Sequence, residues 1–263
     1  MNGDISYNSN NLQTFSPTTK LGIITNSIEH TDIPNKSTEL YIKADANGSV
    51  IPVINYSSKK VAIAGTIKGS SQADLDARID TFKGYFNGKD KNLDIAYVAS
   101  QRRYIATVNA LSISRQQKAL SATFAVEFIC TEPFGQDTSA TIIVNQTGYT
   151  SALYTASFTL LGSAPYQLPV ITITVNSLTG AGDYINISND NNGQQILLYG
   201  QGITASDVIV IDSAQREVTI NDTRVDYEGT FLEVEPGAAA LTYSDGFTTR
   251  NVDILVEYTK RYL

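Results

Sequence analysis

The chain has 263 residues, enough for one large domain or two ordinary ones. Hydrophobic residues make up 42 % and charged residues 17 %, which provides for a sizeable core and excludes a disordered chain. The net charge is −7 with no basic stripe, which argues against a grip on nucleic acid, because phosphate binding needs clustered Lys and Arg.

Thr, Ser, Asn, Val, Ile and Tyr are plentiful, Trp is absent, and the one Met opens the chain. This mix favours strands and turns over helices. Residues 1–60 read as short strands, "LGIITNSI", "TELYIKA" and "VIPVINY", with "ANG" at 46–48 as a hairpin turn. "KKVAIAGTIKG" at 59–69 continues the pattern, and Gly65 marks a bulge or a close contact. The spacing in "SSQADLDARIDTFKGYFNG" predicts a helix. Ser71 with Asp74 approximates a capping box, Leu75, Ile79, Phe82 and Phe86 share one face, and Gly88 is the expected stop. "NLDIAYVA" resumes the strands. "RRYIATVNALSIS" and "ALSATFAVEFICTEPF", separated by the polar "RQQK", predict a long antiparallel hairpin with Phe124, Val126 and Phe128 on one face.

"TEPFGQDTSA" at 131–140 suggests a boundary, giving domains 1–135 and 136–263. A connecting strand or two over 136–169 opens the second domain. The strands expected there are "VITITVNSL", "DYINISND", "QQILLYG", "VIVIDSAQ", "EVTIN", "VDYEG", "FLEVEP", "AALTYSD" and "VDILVEYTKRYL". Turn signals every eight to twelve residues or so suggest a sandwich or jelly roll. The fold class is therefore mainly β: an N-terminal antiparallel domain with one amphipathic helix, then a C-terminal β-sandwich.

Chemistry is sparse. A single cysteine, Cys130, allows no disulfide within the chain and reads as a small buried hydrophobe in "FAVEFIC". The one histidine, His30, lies in the polar "EHTDIPN" and is expected to be an exposed loop residue. These two supply no zinc site of the usual kind. No Walker loop and no G-x-S-x-G elbow occurs. "SNDNNGQQ" has Asp and Asn but not the spacing of a calcium loop, so a hairpin turn is expected. No catalytic residue, metal or cofactor is expected. The N-terminal "MNGDISYNSNNLQTF" has neither the basic start nor the apolar core of a signal peptide, and no run of about 18 apolar residues occurs, so folding in a cytoplasm is expected.

With the segments in order, the chain resembles the distal tail proteins of long-tailed bacteriophages. "KKVAIAGTIKGSSQADLDARIDTFKGYFNGKDKNLDI" is similar to that family's strand, Gly, strand, helix and L-x-I strand, and "RRYIATVNALSISRQQKALSATFAVEFICTEPF" to its following hairpin. "VIVIDSAQREVTIN" followed by "GTFLEVEPGAAALTY" resembles the galectin-like or carbohydrate-binding-module-like domain of many members, with Asn-Asp after Ile220 where Asn-Gly is common. The resemblance implies a non-enzymatic, six-fold ring at the virion tail tip, assembled in the host cytoplasm. It would join the tail tube protein to the tail-tip and baseplate hub proteins, without inserting in a membrane. DNA would slide through an acidic channel without sequence-specific binding. The alternative is a module that binds a host-surface saccharide through an exposed ring, where Tyr would stand in for the absent Trp. Tyr227, Tyr243 and the 221–230 turn are the candidate contact surface of the outer domain.

Overall fold

The computed structural model describes residues 5–30, 32–38, 41–42, 49–50, 54–96, 100–115, 118–180 and 184–263. The expected turn at 46–48 and the centre of "RQQK" lie outside them. The chain is mainly β and divides into two compact units, residues 1–136 with Leu263, and residues 137–262.

The first unit opens with β1 (Ile5–Tyr7), β2 (Asn10–Asn11) and β3 (Gly22–Glu29). Four short strands follow: β4 (Lys36–Thr38), β5 (Tyr41–Ile42), β6 (Ser49–Val50) and β7 (Ile54–Tyr56). Next come β8 (Lys59–Lys68), α1 (Gln72–Gly84), β9 (Lys91–Ala96), β10 (Gln101–Arg115), β11 (Ser121–Cys130) and β12 (Gly135–Gln136). The main antiparallel sheet runs β2-β1-β9-β10-β11-β8-β3. The hairpin expected from alternation is β10–β11, with Leu111 opposite Val126 and Ile113 opposite Phe124. Phe124, Val126 and Phe128 all point into the core.

Helix α1 lies on that buried face. The Ser71 hydroxyl accepts the Asp74 N–H at 3.1 Å. The shorter Asp74 carboxylate accepts the Ser70 N–H and hydroxyl instead of closing on Ser71, at 2.7 and 2.9 Å. These bonds and Arg78 hold its pKa below the ordinary value. The helix ends at Gly84, four residues before the expected Gly88, which stands beyond it at φ +96°. Leu75, Ile79 and Phe82 are buried, and Phe86 beyond the helix end is partly so. Phe82 meets Phe124 at 4.6 Å between ring centroids and Phe86 at 4.9 Å. Burying one such ring stabilises by roughly 1.5–3 kcal/mol. Gly65 is the close contact: a Cβ there would lie 2.2 Å from the Ile24 carbonyl oxygen and 2.5 Å from the Phe124 ring.

The second unit holds β13 (Thr141–Tyr149), β14 (Leu153–Leu160), β15 (Pro169–Thr179), β16 (Tyr184–Asn189), β17 (Gln195–Tyr199) and β18 (Val208–Asp212). It continues with β19 (Glu217–Ile220), β20 (Thr223–Arg224), β21 (Glu228–Gly229), β22 (Gly237–Asp245), β23 (Thr249–Tyr258) and β24 (Arg261–Tyr262). One sheet runs β13-β23-β15-β18-β19-β20 and the other β14-β22-β16-β17-β21. Their inner faces share one core, with Ile171, Ile173, Ile209 and Ile254 from the first and Ile187, Leu198 and Leu241 from the second. This is a β-sandwich. The strands expected at 225–229 and 231–236 are a correction. Only Glu228–Gly229 pairs as a strand there, and Val234 makes a single bridge to Gln167. Leu232 and Val234 are nevertheless fully buried, so the alternating pattern records burial without a ladder.

Candidate functional site

The two tyrosines expected at the outer surface are placed differently. Tyr227 is 38 % exposed and meets Phe231 edge-on, with centroids 5.0 Å apart. Tyr243 is a correction, being 2 % exposed on the inward row of β22 with Ala239 and Leu241. Its hydroxyl donates to Asp245 Oδ2 at 2.8 Å. Burial first, and that bond second, raise its pKa far above the ordinary phenol value. Asp245 also accepts the Phe247 N–H at 2.9 Å and bonds of 2.9–3.1 Å from the Arg250 Nε and Nη2. Arg250 in turn donates to the Phe247 carbonyl. The network closes the β22–β23 turn, so Tyr243 is structural.

The 221–230 segment begins with a tight turn in which Asn221 and Asp222 have φ of 50° and 62°. Ile220 and Thr223 pair across it, the geometry of a type I′ hairpin. The Asn221 amide ties it down, accepting the Val208 N–H and donating to Asp207.

The most exposed aromatic of the unit was not expected from the sequence. Tyr199 is 64 % exposed at the end of β17. It sits directly opposite Tyr184 of β16, and opposed residues of an antiparallel pair share a face. The signal was present in "QQILLYG": Ile196 and Leu198 point inward, so period two turns Tyr199 outward.

His30 is a second correction. It is 8 % exposed, with its ring 6.3 Å from that of Tyr104. Burial lowers its pKa, and Lys59 adds to the effect. Lys59 itself is 3 % exposed. Its ammonium lies 5.4 Å from the Tyr104 ring centroid and has no hydrogen-bond partner among the described residues. Cys130, directly opposite Lys59 in the β8–β11 pair, is fully buried, and burial pushes its thiol up to about 12. A buried thiol so far from ionisation is a packing residue, not a nucleophile. Among the described residues no group of three or more His, Cys, Asp and Glu is placed to hold a metal. No helix among them is long and apolar enough to cross a membrane.

The outward face of the first sheet, opposite α1, carries small side chains: Ala62, Ala64, Ala110, Ser112 and Ala125. At its rim Lys60 pairs with Glu127 at 3.3 Å. The outer strand β3 is broken by a bulge at Asn26.

Residues 162–262 match the family described as siphovirus-type tail component, C-terminal domain. The Dit protein of phage SPP1 shares the fold over 100 % of both chains, with TM-score 0.69 and 12 % identity. A chain of the phage P2 baseplate, in its calcium-activated conformation, matches over 99 % of this chain and 98 % of its own, with TM-score 0.51 and 8 % identity. No curated protein matches the sequence. The second unit therefore carries a siphovirus-type tail component domain. Over its whole length the chain shares the fold of SPP1 Dit.

Proposed function

We propose that this chain forms a six-fold ring at the distal end of a long phage tail. The ring joins the tail tube protein to the tail-tip and receptor-binding apparatus and catalyses nothing. The observation that carries the reading is the two-unit fold shared with SPP1 Dit along the full length of both chains, together with the tail-component match of residues 162–262. SPP1 Dit is described as a paradigm of the hub adsorption apparatus in phages that infect Gram-positive bacteria. The first unit forms the ring, and its small-residue sheet face supplies a surface on which subunits pack closely. The second unit is a galectin-like domain. The net charge of −7 suits a channel that DNA slides through without binding. Assembly takes place in the host cytoplasm.

Light scattering on the purified protein tests the reading, with six chains per particle as the expected mass and a ring in electron micrographs. A monomer at every concentration would overturn it.

A second reading, host-surface saccharide binding by the outer unit, is favoured by one observation. Tyr199 is exposed beside its cross-strand partner Tyr184 on an outward sheet face that also carries Asn186, Leu197, Thr242 and Ser244.

A further inference from the structure

We infer that β14 is a contact between copies of this chain: two second units join by antiparallel pairing of β14 with β14 about a two-fold axis through Ser157. The other end strands of the three large sheets are poor templates for such pairing. β2, β20 and β21 have two residues each, and β3 and β13 are broken by register shifts. Strand β14 has eight residues, pairs with β22 in unbroken register, and contains no charged residue, proline or glycine. No other described strand pairs with it. A long, uncharged, unbulged edge is a template for a further strand.

The bonding directions along β14 follow from its neighbours. Just before the strand, the Asp245 N–H donates to the Ala152 carbonyl at 3.1 Å, so the even-numbered residues of β14 bond β22. Ala240 of β22, opposite Ser157, agrees, because its carbonyl turns the other way to accept the Asp190 N–H. The N–H and C=O groups of Leu153, Thr155, Ser157 and Thr159 therefore point away from β22. The Tyr149 hydroxyl takes the Leu153 carbonyl. The main-chain groups of Thr155, Ser157 and Thr159 have no partner among the described residues.

Free ladder groups select an extended peptide strand, and the side chains select a second copy, because the strand is complementary to itself. With Ser157 on the axis, Thr155 faces the partner subunit's Thr159, and Leu153 faces the partner subunit's Leu161. Leu153 and Leu161 are 61 % and 58 % exposed at the two ends of the strand, so one register covers both. It also sets hydroxyl against hydroxyl with no like charges opposed. Moving the axis to Ala156 would set Leu153, whose carbonyl is taken, against Thr159 and leave Leu161 bare. The contact is isologous, so it does not depend on the first units closing into a six-fold ring.

The test is disulfide capture in the full chain, whose own Cys130 is fully buried. Two Cα atoms paired at the axis lie about 5.5 Å apart, inside the range that a disulfide bridges. With oxidised glutathione as the oxidant, Ser157→Cys is expected to give a covalent dimer on a non-reducing gel. Thr155→Cys is the control, because the two copies of residue 155 stand about 14 Å apart along the strands, too far to bridge. Adding Thr155→Pro to Ser157→Cys removes one outward N–H, which an edge strand tolerates, and should abolish the dimer with the unfolding midpoint kept. No dimer from Ser157→Cys overturns the contact. A dimer from Thr155→Cys in equal yield also overturns it, since that records random collision. Amides of Thr155, Ser157 and Thr159 that resist hydrogen exchange only in whole tails, with no dimer from Ser157→Cys, would assign the edge to a different tail protein and overturn the proposal.

Discussion

Removing the Asp245 carboxylate should unfold the second unit more readily than any surface change. The side chain of Asp245 is 0 % exposed and that of its partner Arg250 is 9 % exposed. In Asp245→Ala the guanidinium keeps only the Phe247 carbonyl, while the Tyr243 hydroxyl and the Phe247 N–H lose their acceptor. Breaking a buried ion pair from one side costs about 3–5 kcal/mol, because the remaining charge stays desolvated. The two orphaned neutral donors act in the same direction, but network energies do not add. For a unit of this size the loss corresponds to roughly 10–20 °C in Tm. Urea and thermal unfolding followed by near-ultraviolet circular dichroism would measure it. Hydrogen exchange would place the loss in β22 and β23. The double variant Asp245→Ala, Arg250→Met removes the stranded charge and should recover most of the loss. A single variant destabilised by less than about 1 kcal/mol would refute the reasoning, since the arginine would then be hydrated.

Three further outcomes are expected. Asp222→Gly relieves a left-handed residue of the I′ turn and should raise stability by about 0.5–1 kcal/mol, seen as a higher urea midpoint. Gly65→Ala drives a methyl into the Ile24 carbonyl and the Phe124 ring and should cost about 1–3 kcal/mol in the first unit, read from the same titration. Tyr104 is pushed up to about 12, chiefly by burial, from an ordinary 10.0. The folded state then holds a proton that the unfolded state has released, so this contribution is complete below pH about 10 and is lost as pH rises to about 12. Tyr104→Phe should flatten the fall in unfolding free energy over that window, and an unchanged slope would show that the phenol is hydrated.

Much of the architecture is legible in the sequence because local patterns and burial agree. Leu75, Ile79 and Phe82 share a helical face because that face meets Phe124. The β10–β11 hairpin follows from period-two alternation in two adjacent segments. The surface residues were harder to read, since exposure is decided by partners distant in the chain. His30 sits among polar neighbours, yet the fold lays it against Tyr104. Tyr243 looks like any strand tyrosine until Asp245 takes the next inward position and requires donors around it. The helix tightens at its end into bonds from the Tyr85 and Phe86 N–H groups to the Phe82 and Lys83 carbonyls, and Phe86 then packs on Tyr7 and Phe128, so the chain leaves the helix before Gly88.

The abundant asparagines, which suggest loops at first sight, instead shape the sheets. Of the bulged strands, three insert an asparagine, Asn26 in β3, Asn109 in β10 and Asn176 in β15, while β13 inserts Ile143 and shifts again at Thr147–Gly148. Each side-chain amide reaches the neighbouring strand, to the Thr66 hydroxyl at 3.3 Å, to Glu127 at 2.5 Å, and to Asn251 and Asp253 at 3.1 and 3.0 Å. Two further asparagines, Asn8 and Asn221, hold the positive φ of hairpin turns that contain no glycine. In the 190–194 loop, Asn189 and Asn192 both donate to the Glu233 carbonyl, and Asn191 donates to that of Ala238. An amide serves in all these places because it tolerates left-handed backbone and can replace a ladder bond that a bulge removes. Bulges bend strands and increase their twist, and a bulge on an outer strand also limits uncontrolled edge pairing. The sequence thus spends these polar residues on strand curvature and on its turns. Asn186 differs from these, since its buried side-chain carbonyl has no hydrogen-bond partner among the described residues.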